Sequence, residues 1–389
     1  MVLIRVIVFF LLMLVIPDWY IYKRCLDGYK YRKIFLIPSA LLIIGMAVFV
    51  ALHDSLHDYF GIFLIVMLCV CISKLVFTIF HLILRFLAKG IKSQSQIPVS
   101  KKNALCGYLS AIPALGIFAY ILFGAIVGKE YFQIRNVTFV SPNLPEAFDG
   151  YRILQLSDIH SGSWTGNGKA LEKAIELCLK EKPDLALFTG DLVNSRADEL
   201  KEFENIFSRL KAKDGVYSVL GNHDYGTYVK WESERHRLAN IDSLVAYENR
   251  MGWRMLNNEH VIIKRGNDSI AVVGVENSGK PPFPDYADLN KAAKGTEGMF
   301  QILMSHDPTH WRREVLSESD IELMLAGHTH DMQVSLFGLS VSSLIYPEHN
   351  GLYTENGRGL YVNIGLGYVL FPMRLGAWPE ITVITLKCR

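Results

Sequence analysis

Four long apolar stretches open the chain. From Lys129 onward the pattern changes to short apolar runs alternating with amphipathic segments. Val2–Tyr22 is broken only by Arg5, Pro17 and Asp18. Ile34–Leu52 and Leu105–Val127 carry no charge, and Phe60–Leu87 carries Lys74, His81 and Arg85. A membrane-spanning helix needs about 20 mainly apolar residues, a length each stretch meets. The first has no small-residue cleavage site and runs into Pro17-Asp18-Trp19, so it reads as an anchor rather than a removable leader. The pattern thus predicts a transmembrane region over residues 1–128, with four helices at about 2–22, 34–52, 60–87 and 105–127, and a separate domain over 129–389. Lys74 stands in the third span as a single charge with no evident partner in sequence; it either snorkels, faces a partner inside the bundle, or marks the end of a shorter span followed by an amphipathic helix.

The second half has a different grammar. Arg135–Val140, Arg152–Leu156, Leu185–Phe188 and Val216–Leu220 read as strands, as do Val261–Lys264, Ile270–Val275, Phe300–Met304, Ile321–Leu325, Leu360–Asn363 and Ile381–Leu386. Lys169–Lys182 reads as a helix with Leu171, Ala174, Ile175, Cys178 and Leu179 on one face, stopped by Pro183. Asp198–Ala212 reads as a second helix, apolar at Leu200, Phe203, Phe207 and Leu210. Strands interleaved with helices and followed by more strands predict a layered α/β domain.

Charge divides the chain at the same point. Residues 1–128 hold 12 Lys/Arg against 4 Asp, a balance of +8; the rest holds 28 basic and 34 acidic residues, a balance of −6. A mildly acidic domain argues against a nucleic-acid surface. Mean hydropathy of +0.21 fits a chain that is one third membrane region. Six cysteines in 389 residues, with no knuckle spacing, exclude a disulfide framework. Loop charge sets the orientation. Lys23, Arg24, Lys30, Arg32 and Lys33 crowd the first loop, His53–Tyr59 has no Lys or Arg, and Arg85, Lys89, Lys92, Lys101 and Lys102 crowd the third. Loops one and three are therefore expected in the cytoplasm, which places the second domain outside it. The expected location is a bacterial inner or plasma membrane.

Candidate chemistry gathers just past the predicted strands. Asp158-Ile159-His160 follows the second, Gly190-Asp191 the third and Gly221-Asn222-His223-Asp224 the fourth. Ser305-His306-Asp307 and Gly327-His328-Thr329-His330 follow two later ones. Ligand-binding residues of open α/β sheets collect at such carboxyl ends. Strand alternation would let Asp158 and His160 face one ion, and His328 and His330 reach two neighbouring ions. Imidazoles and carboxylates without thiolate suit manganese, iron or zinc in a reactive rather than structural site. A carboxylate such as Asp191 can bridge two ions about 3.5–4 Å apart.

The five blocks, in this order over residues 130–389, resemble those of the calcineurin-like metallophosphoesterase superfamily. Leu360–Gly365, Pro372-Met373-Arg374 and Pro379–Thr382 resemble the tail of its bacterial membrane-linked or secreted branch. The resemblance implies a four-layer α/β/β/α sandwich and two divalent metal ions, manganese ahead of iron or zinc. It implies that Asp158, His160, Asp191 and His330 hold the first ion. Asp191, as bridge, Asn222, His306 and His328 would hold the second. It further implies that His223 stabilises the transition state or protonates the leaving oxygen, that Asp224 orients His223 by a hydrogen bond, and that the nucleophile is a metal-bound hydroxide. The expected function is a membrane-anchored phosphohydrolase acting on a phosphoester or pyrophosphate, with a phosphorylated small molecule or a lipid or envelope phosphate as substrate. The alternative is a sensor or scaffold that binds phosphorylated ligands without turnover. The related branch often reads GHTHGGQ; here Asp331 and Met332 replace the two glycines, leaving a carboxylate where it could tune the site or repel an anion.

His236, His260, His310 and His349 lie outside these blocks and read as ordinary histidines, and Cys178 as an inert core thiol. Arg374 could meet a phosphate or act as a cap. Tyr225–Met251 could cover the site or form a solvated helix, and Lys280–Pro284 is a rigid loop that could border the cleft.

Overall fold

The computed structural model describes residues 2–90 and 99–388, without the side chains of residues 2–6, 53–58, 89–90 and 99–103. The chain forms two compact units. One comprises Met1–Val127 with Leu370–Met373, the other Gly128–Val369 with Arg374–Arg389.

The first unit is helical: α1 Val2–Arg24, α2 Ile37–Ala51, α3 His53–Gly90 and α4 Val99–Ile126. Among the described residues, three helical segments are long and apolar enough to cross a membrane: Arg32–Ala51, Tyr59–Ala88 and Ala104–Glu130. The first predicted stretch is helical as α1, but its opening side chains, Arg5 included, lie outside the described residues. So do Lys92 and the side chains of Lys89, Lys101 and Lys102, on which the third loop's charge rests. Lys74 faces partners inside the helical unit, one of the three alternatives that the sequence leaves open. Its Nζ lies 2.5 Å from Asp18 Oδ1 and 2.6 Å from Ser39 Oγ, with the Phe35 ring 4.5 Å away. The partner comes from α1, 56 residues earlier, and no local pattern links the two. Desolvated charges persist only when paired, which is why Asp18 tolerates the interior of an apolar helix.

The second unit is a sandwich of two six-stranded sheets. The strands of the first are β1 Gln133–Ser141, β2 Arg152–Leu156, β3 Leu185–Phe188, β4 Val216–Ser218, β5 Arg254–Met255 and β14 Glu380–Cys388. Those of the second are β6 Glu259–Arg265, β7 Asp268–Gly274, β8 Phe300–Met304, β9 Leu323–Ala326, β12 Gly351–Glu355 and β13 Arg358–Val362. A two-stranded hairpin, β10 Ser335–Leu336 and β11 Leu339–Ser340, stands apart from both sheets. The first sheet runs β1-β14-β2-β3-β4-β5, the second β12-β13-β9-β8-β7-β6.

Three apolar clusters fill the layers. Ile153, Leu187, Val272, Ile302 and Leu325 join the two sheets' facing sides. On the outer face of the first sheet, Leu171, Ala174, Ile175 and Cys178 of α5 (Gly168–Lys180) pack on Leu154, Ala186 and Phe188. On that of the second, Leu289 and Ala292 of α8 (Leu289–Ala293) and Trp311 pack on Val273, Leu303 and Met324. This gives the expected four layers. Alternating faces of β2, β3, β7 and β8 are both buried, so those strands read as near-continuous apolar runs.

The helix expected over 198–212 is not continuous. It is a tight turn at Ala197–Glu202 followed by one α turn, α6 Glu204–Phe207. Leu200, Phe203, Phe207 and Leu210 are all buried, so the apolar spacing was informative about packing. What breaks regularity is Glu199. Its carboxylate accepts N–H bonds from Gly162, Asn194, Ser195 and Arg196, and this clamps the turn to two loops. The region 225–251 resolves into a loop and α7, Glu234–Met251, capped by Ser233 at its start and Gly252 at its end.

Candidate metal centre

Loops at the carboxyl ends of both sheets converge on one buried cluster. β2, β3 and β4 deliver Asp158, His160, Asp191, Asn222 and His223; β8 and β9 deliver His306, His328 and His330. Asp158, His160 and His306 are fully buried, Asp191, Asn222 and His330 nearly so, and His223 and His328 are partly exposed.

The delivery is not by strand alternation. β2 ends at Leu156, and Asp158 and His160 then both turn left-handed, with φ of 51° and 49°. Asp191, His328 and His330 share that conformation at 61°, 74° and 49°. Left-handed backbone costs a non-glycine residue about 1–2 kcal/mol. Such local strain gathers where side chains must be aimed at one point. Bonds within the first sheet and across to the second hold it. Asp158 N donates to Gly190 O at 2.9 Å, His160 N to Asp191 O at 3.1 Å and His328 N to the Asp158 carboxylate at 3.0 Å. Gly327 is required by this closeness, because a Cβ there would sit 1.8 Å from Ser157 Oγ.

Three sets of side chains bring ligand atoms within 4.8 Å of one another: Asp158, His160 and His330; His160, Asp191 and His223; and Asp158, Asp191 and His306. His160 Nε2 and His330 Nε2 are 3.0 Å apart, and His330 Nε2 lies 3.2 Å from Asp158 Oδ1. His306 Nδ1 donates to Thr189 O at 2.7 Å, which leaves Nε2 turned toward Asp191 Oδ2 at 3.2 Å and Asp158 Oδ1 at 4.0 Å. That Nε2 is buried without a hydrogen-bond partner, and so is His160 Nδ1. His328 Nδ1 meets Asn222 Oδ1 at 2.7 Å. Lone pairs of nitrogen and oxygen pointing at one another in a dry interior repel unless a cation lies among them. The donor set therefore fits divalent ions of the manganese, iron or zinc kind.

The charges are mutually adjusted. Burial would raise the Asp158 and Asp191 carboxyls, but the neighbouring histidines hold both well below the usual carboxylate range. Burial would lower His306, yet Asp191 and Asp158 hold it up at about 10. Burial lowers His160, His328 and His330, which keeps their imidazoles neutral, the form that coordinates a metal.

Asp224 is placed differently from the expectation. It makes no hydrogen bond to His223. Its buried carboxylate accepts from the backbone N–H of Asp191, Leu192, Val193 and Gly221, between 2.8 and 3.2 Å. It thus shapes the loop that carries Asp191, while burial and the Asp191 charge raise it to about 7. His223 is oriented instead by the Asn194 carbonyl, which takes its Nδ1 proton at 2.7 Å. The block's spacing could not show this, because the bond comes from a loop 29 residues earlier.

Other side chains at the centre had weaker sequence signals. Arg374 is a cap, not a phosphate contact. Fully buried, it donates to the carbonyls of Gly367, Ile364, Gly365, Ala377 and His330 and holds His330 Nδ1 at 2.9 Å. Burial pushes it down to about 10. Tyr228 stacks on His223 with ring centres 4.3 Å apart, and its hydroxyl accepts from Asn222 Nδ2 at 2.8 Å. The loop before α7 therefore borders the site, while α7 itself has a largely exposed outer face. Phe283 of the Lys280–Pro284 loop stands edge-on to His328 at 4.8 Å. Tyr346, which no motif marks, places its hydroxyl 3.0 Å from His328 Nε2. Asp331 and Met332 take left-handed φ of 48° and 50°, where glycines would fit freely. The Asp331 carboxylate turns away from the cluster toward Asn350 Nδ2 and His349 Nε2, at 3.4 and 3.8 Å.

Comparison with known proteins agrees with this geometry. Residues 151–332 match the family described as calcineurin-like phosphoesterase, and residues 4–129 match "Probable Calcineurin-like phosphoesterase, transmembrane domain". A transmembrane protein with metallophosphoesterase domain from Danio rerio is 31% identical over 68% of this chain and 60% of its own length. One of the same name from Bos taurus is 30% identical over 72% and 63%. The chain thus spans less than two thirds of those two relatives. An uncharacterized metallophosphoesterase of Helicobacter pylori strain J99 is 27% identical over 93% of this chain and 90% of its own.

Proposed function

We propose that this chain, which belongs to the calcineurin-like metallophosphoesterases and carries their transmembrane domain, is a membrane-anchored hydrolase of a phosphoester or phosphoanhydride. Asp158, His160, Asp191 and His330 would hold one divalent ion, and Asp191, Asn222, His306 and His328 a second. Such a pair supplies Lewis acidity, which lowers the pKa of water and polarises phosphoryl oxygens. The observation that carries the reading is the convergence of buried ligand atoms, above all His306 Nε2, which makes no hydrogen bond and is aimed at Asp191 and Asp158.

The remaining residues position and protonate. In the doubly protonated form that an acid role requires, His223 keeps its Nδ1–H hydrogen-bonded to the Asn194 carbonyl and presents Nε2–H from the partly open side of the cluster. There it meets the oxygen that leaves phosphorus and supplies its proton, a contribution of about 10²–10⁴-fold for a well-placed acid. Tyr228, stacked on that ring, limits its swing and screens it from water. Arg374 fixes His330, and Tyr346 fixes His328 from the opposite edge to Asn222. Loop charge supports an extracytoplasmic domain, and tethering to the membrane region supports a lipid or envelope phosphate as substrate.

Full-length protein in detergent, tested with bis-p-nitrophenyl phosphate and Mn²⁺, checks this. Hydrolysis should depend on the metal and vanish in Asp191→Ala and His223→Ala. Stoichiometric metal with no turnover of any phosphoester would favour a non-catalytic binder instead.

A further inference from the structure

The hairpin that stands apart from the sheets has an unusual surface. From Met332 to Pro347 no residue carries a charge, in a domain that otherwise mixes 28 basic with 34 acidic side chains. Among the described residues of 129–388, fifteen large apolar or aromatic side chains are exposed, and seven fall between Met332 and Ile345. Phe337 is fully exposed, Leu344 is 83% exposed and Leu339 79%; Leu336, Val341 and Ile345 extend the patch. Soluble domains rarely present so contiguous an apolar surface without something to cover it.

The backbone pushes this patch outward. Leu336 pairs with Leu339 across a two-residue turn, so Phe337 and Gly338 form its tip, with φ of 54° and 79°. Such turns favour Asn-Gly, and a bulky aromatic with positive φ is an outlier. The turn thus spends backbone energy to put a phenyl ring at the most protruding point of the hairpin. The base is firmly held. Ser335 N donates to Leu375 O at 2.8 Å, Leu375 N to Gln333 O at 2.9 Å, and Ser340 Oγ to Asp331 O at 2.8 Å. The far end is also fixed, because Tyr346, one residue past Ile345, bonds His328.

We propose that Leu336, Phe337, Leu339, Val341, Leu344 and Ile345 form a wedge that enters the lipid bilayer beside the metal centre. The occupant is a membrane for two reasons. The patch is free of charge and tipped by an aromatic, as interfacial anchors are. The same chain carries helices long and apolar enough to span. With no Lys or Arg in the wedge, insertion depends on apolar burial and not on anionic headgroups. The wedge deepens the phosphoesterase reading, and rests on it only in one respect: it would present a phosphate borne by a lipid to the centre that His328 and Tyr346 edge.

Full-length Phe337→Trp in phosphatidylcholine nanodiscs tests insertion directly. Its emission in excess of wild type should fall at least about twofold when the acyl chains carry bromine, as for an indole among lipid chains. Leu238→Trp, on the exposed face of α7, should not respond. Excess emission indifferent to bromine would overturn the proposal, and so would protection of the new indole only in a detergent-stable dimer of the chain. A second arm uses Phe337→Ser with Leu344→Ser, which touch no proposed ligand. Turnover of a phosphoester on a diacyl lipid should fall at least about tenfold, the order expected from losing two buried apolar side chains. Turnover of bis-p-nitrophenyl phosphate should stay level. Equal loss on both substrates would overturn the substrate-presenting role. Wild-type protein that cleaves neither would defeat the phosphoesterase reading, with bromine quenching still deciding insertion.

Discussion

Arg374 shows how a residue far from any motif governs the centre. Its guanidinium gathers five carbonyls and the ring edge of His330 in a dry pocket. Lysine keeps the charge but has neither the planar fork nor the reach to several acceptors. Arg374→Lys should therefore weaken metal affinity about 10–100-fold, as loss of a ligand's supporting partner does. Calorimetric metal titration of the folded variant checks this. Asp191→Asn should be more severe. It removes the charge of the bridging position and leaves His306 facing a neutral amide, so one of two bound metals should be lost by elemental analysis and hydrolysis should fall by at least about 10³-fold. The eight proposed ligand and acid positions could be picked out in the blocks because each stands directly behind an apolar strand. Their supports could not. Asn194, Arg374 and Tyr346 reach the centre from loops whose local sequence carries no periodic signal, and the left-handed turns at Asp158 and His160 replace the alternation that the spacing suggested.

At the level of elements, β2, β3 and β8 have the bounds that their apolar runs predict, because both faces of each strand are buried and burial is what the pattern records. The 198–212 segment was misread for the opposite reason: Glu199 is polar in composition but structural in role, and its four N–H bonds outweigh helical regularity. β10, β11 and β12 escaped the sequence because they are short or half-exposed. α7 carries a consequence of its own. Glu248 on its inner side is almost wholly buried, with Ser218 Oγ as its hydrogen-bond partner, and burial raises its carboxyl to about 8 from the ordinary 4.5. The folded state therefore holds a proton that the unfolded state releases between those values, and stability falls as pH rises through that window. Glu248→Gln should remove this slope. Its melting temperature should gain on wild type between about pH 5 and pH 8, read by thermal scans across that range. In the helical unit, Lys74→Met or Asp18→Leu alone should destabilise by about 3–5 kcal/mol, and the double variant should recover most of that loss, read by unfolding in detergent.

On the scale of the whole molecule, composition divides the chain into a basic, apolar front and an acidic back. A reporter fused after residue 388 tests the orientation that the charges imply: it should be active only outside the cytoplasm, and Lys→Gln changes at 23, 30 and 33 should weaken that preference. The two-sheet sandwich was expected from the order of the five blocks. What no local pattern disclosed is the strand order, in which β14 lies between β1 and β2. Residues 133–141 pair in register with residues 380–388, so neighbours in space are 247 positions apart in the chain. That arrangement has a biosynthetic meaning. A nascent chain that has emerged only as far as residue 379 has a gap between β1 and β2 in its first sheet, with Arg135 and Tyr361 still waiting for Glu380. The helices of residues 1–127 leave the ribosome long before this, so under the membrane-anchored reading proposed above the polypeptide behind them is still threadable when they insert, and the domain locks shut only on whichever side β14 arrives.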